Sequence, residues 1–242
     1  SSDLRYFFPD KLEFYGDINF MKAGLLYSDM ITTVSPTYAR EIQTMQYGYG
    51  LDGVLRAKKN NLIGILNGYS YEKYDSFWPE KDNFLDIKTK YKKQLCDEFD
   101  LDFSETTPMV GMLARFAEQK GLDILYQALE KILKLDLQLV VVGTGDAWFE
   151  NLFLDAQKEF TRNFRVKVIF NEVLAKKIYL GSDIFLMPSK FEPCGLSQII
   201  SMRCGTIPVA RKTGGLCDTI NDFFNDKKNG TGFLFEDRKS VV

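Results

Sequence analysis

The chain has 242 residues, of which 45% are hydrophobic and 26% are charged, a composition typical of an ordinary globular protein. Its 31 basic and 33 acidic side chains give a net charge of −2, which excludes a global field that would attract nucleic acid or an anionic membrane. The longest apolar runs, such as residues 184–188, are too short to span a bilayer. We therefore expect a cytoplasmic protein, or a plastid protein if the source is a plant.

The first third of the chain shows a β-then-α pattern. A helical stretch at residues 18–27 precedes a strand at 30–34, and Ser35-Pro36 is suited to cap and begin a helix. Another strand is predicted at residues 62–66. Because one or two such units cannot bury both faces of a sheet, residues 1–66 are predicted to be the remnant of an N-terminal domain.

A connector is predicted next, over residues 67–105. It begins with Asn67-Gly68, passes through an aromatic and charged stretch, and contains a helical pattern near residues 87–99. Residues 106–242 then form a separate domain, which we expect to be incomplete at its C-terminus.

This last domain alternates short apolar runs with helical patterns, which is typical of parallel strands joined by crossover helices. The predicted strands are 109–113, 137–142, 166–170, 184–188 and 206–210, and the predicted helices are 122–133, 147–160, 172–180 and 196–203. The fold class is therefore α/β, with a doubly wound parallel sheet. In such sheets ligands bind beyond the carboxyl ends of the strands, so the loops that follow each strand are the candidate sites.

The loop after the strand 109–113 carries two cations, Arg115 and Lys120, just before a helix begins. Cations and free backbone amides together suit a diphosphate. A solvated basic loop fits the spacing equally well.

Two glycine-rich turns follow later strands. Gly143-Thr144-Gly145 has the first two glycines of a dinucleotide fingerprint, but Trp148 occupies the third position, which argues against a nicotinamide-dependent dehydrogenase and favours a packing turn. Thr213-Gly214-Gly215 permits either close approach of the backbone to a ligand or a simple helix entry.

Two further loop residues have the chemistry of ligand contacts. Glu192 lies in the loop after the strand 184–188 and could accept hydrogen bonds from sugar hydroxyls, or only favour the dipole of the following helix. Phe170, at the end of its predicted strand, could stack on a base or belong to the core.

The sequence argues against a metal site. It contains no histidine, and its four cysteines show no C-x-x-C spacing: Cys96, Cys194, Cys204 and Cys217. We expect neither a metal nor a cofactor.

Read together, these loops resemble the bacterial glycogen synthase and plant starch synthase family. The stretches that carry the resemblance occur in the family's order and spacing: residues 20–25, 33–39, 64–68, 119–122, 188–196 and 213–216 with Asp218-Thr219. The resemblance implies a GT-B architecture of two Rossmann-like domains. It also implies transfer of glucose from ADP-glucose, or UDP-glucose, to the non-reducing end of an α-1,4-glucan with retention.

The resemblance also implies roles for individual residues. Arg115 and Lys120 would hold the diphosphate, and Phe170, where the family usually has tyrosine, would stack on adenine. Glu192 would hold glucose and phosphate together with the amides around Cys194, Gly195, Leu196 and Ser197. Thr213, Gly214 and Gly215 would approach the ligand, and Asn67 with Gly68 would line the cleft at the hinge.

The chain departs from the family in several places. Asn67-Gly68 is followed by Tyr69-Ser70 instead of Ile-Asp, and Lys190 replaces the usual arginine. The family's N-terminal Lys-Gly-Gly-Leu motif is absent, so we expect a fragment that is inactive alone. The alternatives are a sucrose-type or trehalose-type retaining transferase, and a non-catalytic nucleotide-sugar-binding module.

Overall fold

The computed structural model describes residues 6–70 and 84–236. The chain divides into two compact units, Ser1–Asn67 and Gly68–Val242. Part of the predicted connector, residues 71–83, lies outside the described residues. The predicted boundaries at residues 66 and 105 stay a prediction, although the helix of the connector belongs to the second unit.

The first unit is built around short elements. Its described part contains β1 (Glu13–Phe14), β2 (Asp17–Ile18), α1 (Phe20–Tyr27), β3 (Ile31–Thr33), α2 (Pro36–Glu41), α3 (Asp52–Ala57) and β4 (Leu62–Gly64). β1 and β2 pair in antiparallel fashion, whereas β3 and β4 are parallel. The predicted cap is confirmed, because the Ser35 hydroxyl accepts a hydrogen bond of 2.8 Å from the amide of Tyr38, and Pro36 is the first residue of α2. The predicted helix at 18–27 begins later, since Ile18 belongs to β2 and Asn19 caps α1.

The second unit is a doubly wound α/β domain, as predicted. Its elements are α4 (Phe84–Phe99), β5 (Met109–Leu113), α5 (Leu122–Leu133), β6 (Gln138–Gly143), α6 (Ala147–Glu159), β7 (Phe164–Val168), α7 (Glu172–Gly181), β8 (Ile184–Met187), α8 (Ser197–Arg203), β9 (Ile207–Arg211), α9 (Gly214–Thr219) and β10 (Phe233–Phe235). The six strands are all parallel, in the order β10-β9-β8-β5-β6-β7. Among the described residues, no helix is both long and apolar enough to cross a membrane.

The strand order reverses direction at β5. From β5 the chain moves to β6 and β7 on one side, and β8, β9 and β10 follow on the other side. The loops after β5 and β8 therefore lie next to each other at the carboxyl edge of the sheet. Such a switch point is where open α/β sheets bind ligands.

Apolar layers cover both faces of this sheet. One layer includes Leu95 of α4, Ile178 of α7 and Phe185 of β8, and the other includes Leu125 of α5 and Phe153 of α6. The interior strand β6 contributes to both layers because it is buried on both sides, which explains its unbroken apolar run. Burying one such side chain contributes about 1.5–3 kcal/mol to folding.

The predicted strand at residues 166–170 is wrong by two residues, because β7 spans Phe164–Val168. The register is set by Phe164 and Val166, which are 0% and 5% exposed and face the core. Phe170 consequently lies beyond the strand and is 84% exposed. Of the two alternatives for Phe170, a place in the core is excluded, and its ring is exposed at the carboxyl edge.

A partly buried lysine on α4, Lys88, provides a pH-dependent contribution to stability. The ammonium of Lys88 donates to the carbonyls of Leu180 and Ser182 and to the hydroxyl of Thr206, at 3.1, 2.8 and 2.9 Å. Burial lowers the pKa of Lys88 from 10.5 to about 8, and nearby Asp183 only partly opposes this.

We expect this shift to appear in unfolding experiments. Between pH 8 and pH 10.5 the unfolded chain holds the Lys88 proton more tightly than the folded chain, so stability rises with pH across that interval. The free energy of unfolding should rise relative to a Lys88→Met variant by at most about 1.4 kcal/mol per pH unit. Urea unfolding of both proteins at about pH 7 and about pH 10 measures this difference. A constant difference would contradict the assignment.

Candidate functional site

The larger of two cavities at the switch point has a volume of about 480 Å³. It lies against the loops after β5, β6 and β7, and its lining includes Arg115, Thr144 and Phe170. The volume is within the range of small-molecule sites. Arg115 is exposed and forms no hydrogen bond or ion pair with any residue in the described part of the chain, so its guanidinium is available to a ligand.

The smaller cavity, of about 90 Å³, contains an ion pair between the loops after β5 and β8. Lys120 Nζ lies 2.6 Å from Glu192 Oε2, and the Ser189 hydroxyl donates to the same oxygen at 3.1 Å. Glu192 is only 6% exposed. No described residue hydrogen-bonds to the other oxygen, Oε1. The carboxylate is therefore held on one oxygen and free to accept hydrogen bonds on the other.

The two cavities share part of their lining. The residues that line both are Leu113, Ala114 and Ser197. A ligand that extended past Ser197 could occupy both cavities at once. Of the two cations that the sequence placed on one loop, Arg115 lines the larger cavity and Lys120 lines the smaller one.

Backbone contacts clamp the loops after β5 and β8 together. The amide of Lys190 donates to the carbonyl of Gln119 at 2.8 Å, and the Gln119 side chain donates to the carbonyl of Phe191 at 3.3 Å. Gly121 has a positive φ of 69°, and a Cβ on it would lie 1.9 Å from the carbonyl oxygen of Pro188. These contacts fix the spacing of Lys120 and Glu192.

Lys190, the residue that replaces the family's arginine, takes part in the same clamp. Its ammonium pairs with Glu118 and Asp123 at 2.5 and 3.0 Å. Burial alone would lower the pKa of Lys190, but its hydrogen bonds with these two carboxylates raise it above its usual value. The side chain therefore connects the two loops, and it does not line either cavity.

The turn at Thr213-Gly214-Gly215 supports the Glu192 loop from behind. The amide of Gly215 donates to the carbonyl of Glu192 at 2.9 Å. A Cβ on Gly215 would lie 2.2 Å from the carbonyl oxygen of Cys194. Residue 215 must therefore be glycine for the Glu192 loop to pack against this turn. The expected contact of Thr213, Gly214 and Gly215 with a ligand stays a prediction.

The predicted packing role of Gly143-Thr144-Gly145 is confirmed. A Cβ on Gly143 would lie 1.8 Å from the carbonyl oxygen of Ala114, and one on Gly145 would lie 2.2 Å from that of Phe116. The turn packs against the loop after β5. Gly143 and Thr144 also line the larger cavity.

The other predicted site residues fall into two groups. Gly195 and Leu196 line the smaller cavity, whereas buried Cys194 contributes its carbonyl to loop contacts. Asn67 ends the first unit and Gly68 begins the second, so their assignment to a hinge stays a prediction.

Sequence reasoning missed four residues that the structure places at the site. Ser189 holds the Glu192 carboxylate, and Tyr179 donates to Ser197 at 2.9 Å. Gln198 is fully buried, and its amide donates to the carbonyls of Cys194 and Gly195 and to the hydroxyl of Thr219, each at 3.0 Å. Glu172 lines the larger cavity beside Phe170 and is a second carboxylate in these loops, besides Glu192. In the sequence, Tyr179 and Gln198 are polar residues inside predicted helices. A polar residue on the buried face of such a helix could have indicated a hydrogen-bonding role.

No cluster of three or more metal-ligating side chains occurs within residues 6–70 and 84–236. The four cysteines are free thiols.

The amino-acid sequence matches two protein-family models and several curated proteins. The model of the starch synthase catalytic domain matches residues 2–57, and that of glycosyl transferases group 1 matches residues 96–241. A glycogen synthase from Thermosipho africanus is 49% identical over 241 residues, which cover 96% of this chain and 49% of that protein. The glycogen synthase of Thermotoga maritima is 47% identical over 236 residues, covering 94% of this chain and 48% of that protein. The chain thus spans about half the length of the curated relatives it matches.

Solved structures with a similar fold include a starch synthase and a sucrose-phosphate synthase. The catalytic domain of Starch Synthase IV from Arabidopsis thaliana, bound to ADP and acarbose, superposes with a TM-score of 0.86 at 34% identity, covering 98% of this chain and 51% of that one. Sucrose-phosphate synthase from Thermosynechococcus elongatus superposes with a TM-score of 0.63 at 21% identity, covering 91% and 49%. This second likeness shows the fold alone.

Proposed function

Because the chain belongs to the glycogen and starch synthase family of group 1 glycosyl transferases, we propose that it is the donor-binding part of a glucosyltransferase. The enzyme would transfer glucose from ADP-glucose to the non-reducing end of an α-1,4-glucan with retention. UDP-glucose is the second candidate donor. The proposal includes a reducing, cytoplasmic location, which the four free thiols support.

The observation that carries the proposal is the ion pair of Lys120 with Glu192, 2.6 Å apart in the lining of the smaller cavity. A cation and a buried acid are the groups that a sugar phosphate requires side by side, because its phosphate is anionic and its hydroxyls are donors. Loops from two strands meet to supply them.

In this arrangement the nucleotide would occupy the larger cavity. Its base would stack on the exposed ring of Phe170, and its diphosphate would pass Ser197 between Arg115 and Lys120. The glucosyl group would then lie at the smaller cavity, where Glu192 Oε1 can accept a sugar hydroxyl. The ADP in the Arabidopsis starch synthase structure supports adenine as the base.

Cleavage of the bond between glucose and ADP builds negative charge on the departing diphosphate. Lys120 and Arg115 would stabilise that charge, since both are cations positioned before the reaction begins. Glu192 would orient the glucosyl group through its hydroxyls.

Retention by double displacement requires a nucleophilic carboxylate close to the reacting carbon. Of the two carboxylates among the described lining residues, Glu172 lies at the larger cavity and Glu192 Oε2 is engaged by Lys120 and Ser189. We therefore favour a same-face mechanism, in which a phosphate oxygen of the departing ADP helps to deprotonate the acceptor hydroxyl.

Replacing Phe170 with alanine should weaken ADP binding. Stacking of a base on an aromatic ring contributes about 1–3 kcal/mol, so the dissociation constant should rise by about 5- to 150-fold. Calorimetric titration of the chain and its variant with ADP, and then with UDP, measures the loss. We expect the parent chain to bind ADP more tightly than UDP, because adenine is the larger base.

Phe224→Ala is the matched control, since Phe224 is 72% exposed but lines neither cavity. It should bind ADP like the parent chain. A chain that binds maltooligosaccharides but no ADP would refute the proposed function.

A further inference from the structure

Ser197 is a polar residue in the lining of both cavities. Among the described residues that line both, the other two are the apolar Leu113 and Ala114. If a nucleoside diphosphate spans the cavities, as the proposed function requires, its phosphate oxygens pass the Ser197 hydroxyl. How tightly the nucleoside diphosphate binds then depends on whether the Ser197 hydroxyl points its proton toward those oxygens.

Tyr179 determines which way this proton can go. Its hydroxyl donates to Ser197 Oγ at 2.9 Å. A tyrosine hydroxyl has one proton to give, and a serine hydroxyl has one proton and two acceptor sites. Because Ser197 accepts the proton of Tyr179, its own proton is directed away from Tyr179 and toward another acceptor.

Tyr179 is itself held in place. It is 7% exposed, and its ring lies 5.2 Å from that of Phe185 at an angle of 32°. The ring therefore has little freedom to turn, and the hydroxyl stays at the cavity wall, where Tyr179 contributes to the lining.

We propose that Tyr179 is a positioning residue, which orients the Ser197 hydroxyl as a hydrogen-bond donor to a phosphate oxygen of the bound nucleoside diphosphate. This inference rests on the proposed function. Donors fixed before the ligand arrives bind it more tightly than donors that must be ordered on binding. An anionic phosphate oxygen is the acceptor that gains most from such a donor.

The test compares ADP with adenosine by calorimetry, using the whole chain. Tyr179→Phe keeps the ring and removes only the hydroxyl, so ADP should bind about 5- to 20-fold more weakly while adenosine is unaffected. Ser197→Ala should show the same selectivity with a loss of about 10- to 100-fold for ADP. The double variant should bind ADP no more weakly than Ser197→Ala alone, because Tyr179 acts through Ser197.

Each other outcome has a definite meaning. A parent chain that binds no ADP refutes the proposed function and, with it, this inference. A Tyr179→Phe chain that binds ADP like the parent refutes the inference alone. If Tyr179→Phe weakened the binding of ADP and of adenosine equally, Tyr179 would have a merely structural role, and the inference would be overturned. Should Tyr179→Phe fail to fold, a Ser197→Ala chain with unchanged ADP affinity would overturn it as well.

Discussion

Replacing Lys120 with alanine is expected to lower the maximal rate of glucosyl transfer by about 10²- to 10³-fold, the usual loss when one positioned donor to a developing anion is removed. Lys120 Nζ lies 2.6 Å from Glu192 Oε2, so the variant also leaves a carboxylate that is 6% exposed without its cation. Binding of the glucan acceptor should change far less, because Lys120 lines the smaller cavity, where the proposal places the glucosyl group of the donor.

The rate can be measured in a complete synthase, made by joining this chain to the remaining half of the Thermosipho africanus relative. Lys134→Ala is the matched control. It breaks another Lys–Glu pair, with Glu130 at 2.8 Å, but both of its side chains are exposed, so the effect should be near zero. Near-parental turnover of the Lys120→Ala enzyme would defeat the proposed role of the lysine.

Gly121→Ala is expected to lower the free energy of unfolding by roughly 2–5 kcal/mol, from left-handed backbone strain and overpacking combined. Gly121 has a φ of 69°, and the new methyl group would lie 1.9 Å from the carbonyl oxygen of Pro188. The backbone of one loop must then move away from the other. Since Lys120 is the adjacent residue, the variant should also bind ADP more weakly.

Thermal unfolding and ADP titration of the variant check both effects. Gly24→Ala is the control for adding a methyl group, because Gly24 lies in α1 without a positive φ, and the new methyl group would have no heavy atom within 4 Å beyond its own helix backbone and chain neighbours. It should leave stability unchanged or raise it by up to about 1 kcal/mol. A Gly121→Ala chain as stable as the parent would show that the loops are not held together at this point.

Much of the second unit was predictable because its elements are long and strongly patterned. The run at residues 139–142 is buried on both faces, and it was recognised as a strand for that reason. The short elements β1, β10 and α3 were missed because two to six residues carry too little periodicity. The position of β7 was wrong because the sequence does not show which residues of 164–170 face the core.

The residues of the candidate site also divide into those that could be predicted from the sequence and those that could not. Arg115, Lys120 and Glu192 were found because polar residues after apolar strands collect at one edge of the sheet. Tyr179 and Gln198 were not found, since their roles depend on hydrogen bonds to Ser197 and to the Glu192 loop. Such contacts are created by packing between helices, and helical periodicity predicts only burial.

The strand order also bears on when the site can form. Lys120 and Glu192 are 72 residues apart in the sequence, and they meet only because β8 inserts beside β5. Pairings between such distant segments require a long loop to close first, which slows folding. In a growing polypeptide the ion pair of Lys120 and Glu192 therefore cannot form until β8 and its following loop have left the ribosome, and it arises together with the centre of the sheet.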